Sequence, residues 1–149
     1  MSKVMLIVRG VAGTGKTTYA KAAADGMETR AAWAHVEADQ FFTDQDGVYH
    51  FASEWLGDAH RWAQLEVKKN MIHWNDIVVS NTFTTFKEIK PYLELANEFK
   101  YTVYVVSLTK EYGSVHNVPM EVMERQRARF VPHAEIVEKV REFMVYDDA

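Results

Sequence analysis

"RGVAGTGKTT", residues 9–18, stands directly behind the apolar run "VMLIV" at residues 4–8. Gly10, Gly15, Lys16 and Thr17 fit the spacing G-x-x-x-x-G-K-[ST], and the context fits too: residues 3–9 read as a buried strand and 16–27 as a helix. Glycine lets the backbone wrap closely around an anion with its N–H groups turned inward. The helix start adds the positive end of its dipole. The stretch predicts a phosphate-binding loop made of Gly10, Ala12, Gly13, Thr14, Gly15, Lys16, Thr17 and Thr18. Lys16 is expected to reach the β- and γ-phosphates of ATP, and the Thr17 hydroxyl to bind Mg²⁺.

Outward from that loop, apolar runs alternate with helical patterns. "AAWAHVEA" (31–38) reads as a second, weaker strand, "DIVVS" (76–80) as a third and "YTVYVVSL" (101–108) as the clearest of all. Between them, Trp55, Ala59, Trp62, Leu65 and Ile72 recur at helical spacing from Ser53 to about Ile72. Phe86, Ile89, Leu93 and Ala96 share one face of the next helix. Two more helices are expected, Pro119 to Phe130 and Ala134 to Met144, the last closing the core with Ile136, Val140 and Phe143. Strands alternating with helices imply right-handed crossovers. The expected fold is α/β: a three-layer P-loop sandwich of the nucleotide-kinase kind, with a parallel sheet of about four strands, in a single domain over residues 1–149.

Composition narrows the function. The chain has 149 residues, no cysteine and a net charge of -4. Zero cysteines exclude disulfides and cysteine-based zinc or nucleophile chemistry. The acidic balance argues against coating long nucleic acid, which needs many cationic contacts, while leaving room for an enzyme that grips only a strand end. No apolar run approaches the ~20 residues of a membrane span. The start runs into a glycine loop instead of a cleavage site, so the cytoplasm is the expected location. Nothing in the chain specifies an oligomeric state.

In a parallel sheet of this type, ligands bind at the carboxyl ends of the strands. The residues expected there are Gly10 to Thr17, then Asp39 and Gln40, then Ser80, Asn81 and Thr82, then 109–117. A GTPase switch would want an aspartate ending the third strand and a base-reading N-K-x-D, and a motor a larger domain. A compact kinase remains. Asp39, just past the second strand, faces the loop and can accept the proton of an attacking hydroxyl. The same position also suits an ordinary turn or cap aspartate. By this reading Asp39 is the one carboxylate near the magnesium.

"GVAGTGKTT", "EADQFF", "GVYHF", "LGDAHRW", "VVSNTFT", "EIKPYLELA" and "NVPMEVMERQRARF" resemble, in order and approximate spacing, the small P-loop kinases related to polynucleotide 5′-hydroxyl kinase. That family includes the bacteriophage end-healing kinase domain and short AAA-type ATPase-like proteins. The resemblance runs from about residue 3 to residue 131. It implies ATP as donor, Mg²⁺, a DNA or RNA 5′ end as acceptor, Asp39 as general base, and Lys16 and Thr17 as phosphate and metal contacts.

Three departures stand out. Where many relatives carry an acidic residue on the third strand, this chain has Ser80, Asn81 and Thr82, so the ion would rest on Thr17, Asp39 and water held by Ser80 or Asn81. Phe42 takes the place of the arginine that grips the acceptor phosphate; Phe41 and Phe42 are expected in the core. The lid segment is short, with Lys110 and His116, and the cations come later, at Arg125, Arg127 and Arg129. Arg125 and Arg129 lie four apart on one helix face. Either can serve as an arginine finger in cis, or pair with Glu121 and Glu124 on the surface. The readings left open are a polynucleotide-end kinase, a kinase for a small hydroxyl compound, and an ATP-binding module with little turnover.

Overall fold

Residues 3–26, 33–111 and 118–145 are described in the computed structural model of this chain. Val4–Arg9 forms β1, and from Met5 onward every residue of it is buried. Such a strand is covered on both faces and flanked on both edges, and its uninterrupted apolar run says so. The sheet order is β2-β3-β1-β4, all parallel, with β2 at Ala34–Val36, β3 at Ile77–Asn81 and β4 at Thr102–Ser107. The helices are α1 (Lys16–Gly26), α2 (Leu56–Ile72), α3 (Phe86–Phe99), α4 (Met120–Arg129) and α5 (His133–Phe143). The expected α/β sandwich with a four-stranded parallel sheet is the fold observed.

The pleat divides the core in two, because successive side chains of a strand point to opposite faces. Leu6, Val8 and Val78 meet Ala20 of α1 on one side. Met5, Ile7, Ile77 and Val79 meet α2, α3 and α5 on the other. The expected faces of α3 and α5 are the packed ones: Ile89, Leu93, Ala96, Ile136 and Val140 are buried, and Phe86 and Phe143 pack against them. The face expected for α2 is packed only in part: Ala59 is buried and Trp62 packs against the core. Ala59, Ala63, Val67 and Met71 are buried, whereas Leu65 is 66% and Ile72 61% exposed. Ala59 and Ala63 let the helix lie close, Val67 and Met71 continue the same row, and Leu65 and Ile72 point elsewhere. Trp55 belongs to a separate 3₁₀ turn, Ser53–Trp55.

Register brings the strand ends level. Arg9 pairs with Asn81 on β3 and with Ser107 on β4. Arg9 is itself fully buried. Its Nε donates to the Phe83 carbonyl (2.9 Å), Nη1 to Ser107 Oγ (3.0 Å), and Nη2 to the carbonyls of Thr84 (3.3 Å) and Val131 (2.8 Å). The guanidinium also lies 3.9 Å from the ring centre of Phe130. Burial lowers its pKa to about 10, against the opposing pull of Glu88, so it stays charged near neutral pH. One cation thereby ties the end of β1 to the segment after β3, to β4, and to the junction of α4 with α5.

Candidate active site

The loop after β1 is shaped as its glycines require. A Cβ on Gly10 would sit 2.3 Å from Thr14 Oγ1 and 2.9 Å from the Leu108 carbonyl oxygen, so no other residue fits. Gly13 (φ 85°) and Gly15 (φ 78°) adopt the left-handed conformation that glycine alone takes at little cost. Thr14 closes the turn by donating to the Val11 carbonyl (2.8 Å). Lys16 Nζ donates to the same carbonyl (3.2 Å). Burial pushes the Lys16 pKa down, opposed by the charges of Asp39 and Glu37. Thr17 and Thr18 open α1, both exposed. The expected cradle residues therefore run through one loop and the first turn of α1.

The second strand ends earlier than its sequence suggests, at Val36, and this changes the inventory of carboxylates. Glu37 is the first residue beyond it. Its side chain accepts hydrogen bonds from Thr17 Oγ1 (2.9 and 3.2 Å) and Ser80 Oγ (2.9 Å). His35 Nε2 lies 3.0 Å from Ser80 Oγ and 3.6 Å from the same carboxylate. Burial works to raise the Glu37 pKa, but hydrogen bonds from His35, Ser80 and Thr17 outweigh it and hold the carboxyl below its ordinary value. Asp39 is thus not the one carboxylate at this edge, because Glu37 lies against Thr17. Ser80 stands behind Glu37 as a donor, bonded to a carboxylate supplied by the neighbouring strand.

Asp39 sits two residues further on, in the 3₁₀ turn Ala38–Phe42. The turn is braced from behind. Asn81 Oδ1 accepts the Ala38 N–H (2.9 Å), and Gln40 both accepts the Glu37 N–H (3.2 Å) and donates to the His35 carbonyl (3.1 Å). Tyr49 donates its hydroxyl to Asp39 Oδ1 (3.3 Å). Burial, and then the Asp39 charge, push the Tyr49 pKa up to about 12, so the phenol keeps its proton for that bond. The two adjacent phenylalanines divide: Phe42 is 6% exposed and belongs to the core, while Phe41 is 39% exposed.

Among the described residues, the arginines of α4 make no hydrogen bond or ion pair with the loop, Glu37 or Asp39. Arg125 and Arg129 are exposed, and among the described residues neither makes the surface ion pair expected with Glu121 or Glu124. Arg127 instead pairs with Glu111, at 2.6–3.2 Å. His116 lies outside the described residues. The side chain that α4 brings to the loop is Gln126, whose Oε1 accepts the Ala12 N–H (2.8 Å). Sequence reading passed over it, because a glutamine between arginines carries no motif of its own.

Comparison with known proteins agrees with this geometry. A family model described as "AAA domain" matches residues 5–112. NEDD4-binding protein 2 of Homo sapiens is 31% identical over 101 residues, which cover 67% of this chain but 6% of that protein. The chain therefore spans only a small part of that relative's length. Among solved structures, Kti12 of Chaetomium thermophilum, in complex with ADP-AlF3, is similar with a TM-score of 0.63 at 15% identity, over 86% of this chain and 80% of its own. A chain of the Pnkp1/Rnl/Hen1 RNA repair complex is similar with a TM-score of 0.56 at 17% identity, over 95% of this chain and 44% of its own. With the glycine loop, the level strand ends and the matched span together, the chain belongs to the AAA-domain family and has the P-loop kinase fold.

Proposed function

We propose that the chain is an ATP-dependent phosphotransferase that moves the γ-phosphate to a hydroxyl, with the 5′-hydroxyl of a DNA or RNA strand as the favoured acceptor. The observation that carries this reading is a pair of carboxylates, Glu37 and Asp39, set differently beside one ammonium. Glu37 is engaged by Thr17 and Ser80. Asp39 is held through one oxygen by Tyr49, which leaves the other to take a proton.

The donor set suits magnesium. Thr17 and Glu37 offer hard oxygen ligands of the kind it prefers. Among the described residues no three His, Asp or Glu side chains form a metal cluster, so the ion would complete its shell with phosphate and water. Bound there, Mg²⁺ supplies neutralisation of charge on the phosphate oxygens. Lys16 and the loop amides hold the β- and γ-oxygens. Asp39 takes the acceptor's proton as the acceptor oxygen bonds to the γ-phosphorus. The bond from that phosphorus to the β–γ bridging oxygen breaks, and ADP leaves with the electron pair.

Fold similarity to the RNA repair complex and the chain-long resemblance to end-healing kinases support the polynucleotide acceptor. One observation favours a second reading, a small hydroxyl compound: the place of the acceptor-phosphate arginine holds the buried Phe42. A transfer screen with γ-labelled ATP over 5′-hydroxyl oligonucleotides, nucleosides, nucleotides and sugars distinguishes them. Asp39→Asn should leave nucleotide binding within a few-fold and lower transfer by about 10²–10⁴. Wild-type transfer by that variant places the base elsewhere. If the wild-type protein transfers to no hydroxyl, the chain is an ATP-binding module.

A further inference from the structure

Helix α4 reaches the phosphate loop through one side chain. Gln126 Oε1 accepts the Ala12 N–H at 2.8 Å, and a backbone amide can only donate, so the two ends of the glutamine amide are told apart. The carbonyl oxygen is committed to the loop, and Nε2 with its two N–H groups is the end left to donate. Among the described residues Nε2 has no partner. The contact point also matters. Ala12 adjoins Val11, whose carbonyl receives the Lys16 ammonium at 3.2 Å. Gln126 therefore approaches the half of the loop where Lys16 stands, away from the helix-start amides that face the inner phosphates.

The helix is anchored where such a role needs it. Phe130 lies under the Arg9 guanidinium (3.9 Å), the Val131 carbonyl accepts from Arg9 Nη2 (2.8 Å), and the Val131 N–H donates to Thr84 (2.8 Å). Arg9 immediately precedes Gly10, so the carboxyl end of α4 hangs from the residue that starts the loop. Arg127 faces Glu111, and Arg125 and Arg129 are exposed. Of this helix, Gln126 alone makes a hydrogen bond to the loop among the described residues.

We infer that Gln126 reads the terminal phosphate: Oε1 stays on the Ala12 amide while Nε2 donates to a γ-phosphate oxygen of the bound nucleoside triphosphate. A diphosphate offers no oxygen at that place, so the contact sets preference for ATP over ADP. The inference rests on the proposal that this site binds ATP.

The test is calorimetric affinity, with magnesium, for ADP and for the non-hydrolysable imido analogue of ATP. Loss of a hydrogen bond to a charged group should weaken the analogue about tenfold or more in Gln126→Ala, with ADP changed less than about twofold. Gln126→Glu keeps the acceptor for Ala12 but sets a negative charge where the donor was. It should weaken the analogue further and still leave ADP nearly unchanged, which separates phosphate reading from loop support even if the alanine variant folds poorly. Equal losses for both nucleotides would make Gln126 a structural latch and overturn the inference, as would no loss for either. If the wild-type protein binds neither nucleotide, the ATP reading itself falls, a result distinct from an unselective Gln126.

Discussion

Replacing Arg9 tests the coupling of fold to site most directly. In Arg9→Met the hydrocarbon volume is roughly kept and all four donated bonds vanish. Ser107 Oγ retains a neighbour in His133 Nδ1 (2.7 Å), and the Thr84 carbonyl retains the Val131 N–H (2.8 Å). Of the four acceptors, the carbonyls of Phe83 and Val131 are the two for which Arg9 is the donor seen among the described residues. At about 1–3 kcal/mol for each unsatisfied buried group, the loss is about 2–6 kcal/mol. Relief from burying a cation, the same burial that lowers its pKa to about 10, offsets part of it. A net destabilisation of about 3 kcal/mol is expected, a large share of the 5–15 kcal/mol typical of a domain. It corresponds to a fall in Tm of about 10 °C at this chain length. Arg9→Lys should be no milder than Arg9→Met although it keeps the charge. A lysine retains the desolvation cost, yet it cannot match a planar fork aimed at four acceptors. Urea denaturation of the three proteins, with equal slopes, measures both differences. A loss below about 1 kcal/mol for Arg9→Met, or a lysine variant near wild-type stability, would refute the reasoning.

Lys16→Ala should abolish phosphoryl transfer, because among the described residues no other cation of the loop meets the β- and γ-oxygens; near-native transfer in the γ-labelled assay would contradict that. Glu37→Gln should raise the magnesium concentration for half-maximal nucleotide binding by about 10–100-fold, and an unchanged magnesium titration would exclude the role. The same variant carries a pH signature. The folded Glu37 pKa is depressed, so its contribution to stability is present above the unfolded value of about 4.3 and fades as pH falls through the folded one. The stability gap between wild type and Glu37→Gln should therefore be open near neutral pH and narrow as the pH falls below the ordinary carboxyl range in a denaturation series. If Arg125 turns toward the γ-phosphate during transfer, Arg125→Ala should lower kcat far more than it raises KM for ATP. A large effect for Arg129→Ala alone would move that role one turn along α4, and small effects in both would leave these arginines as surface charges.

The glycine loop and its strand were legible because both signals are local: an apolar run with no polar interruption, and glycines where the backbone must turn left-handed. Asp39 was placed on the right edge by the carboxyl-end rule alone. Glu37 escaped because "AAWAHVEA" reads as strand to residue 38, which would hide its side chain in the sheet. The chain leaves the sheet two residues sooner because Asn81 and Gln40 capture the Ala38 and Glu37 amides, and those partners are distant or unremarkable in sequence. The α2 face was legible only in part for a similar reason: Ala59 and Trp62 do pack on the core, but the bulk of Leu65 and Ile72 drew attention while Ala63, Val67 and Met71 made the contact. Arg9 gave no signal, since an arginine ending a strand is ordinary until its four acceptors from three other segments are assembled around it. No helix among the described residues is long and apolar enough to cross a membrane.

The charges around Lys16 have a thermodynamic consequence. One ammonium faces two carboxylates, Glu37 and Asp39, so these three side chains sum to a net negative charge before any ligand arrives. A bare polyphosphate would meet repulsion there that the loop amides must overcome. A cation would meet attraction, but with too few ligands to stay. Each guest thus raises the affinity of the other, and linkage requires the two enhancements to be equal. With the proposed ion and nucleotide as guests, the edge would act as an electrostatic AND gate, filled by the two together and poorly by either alone.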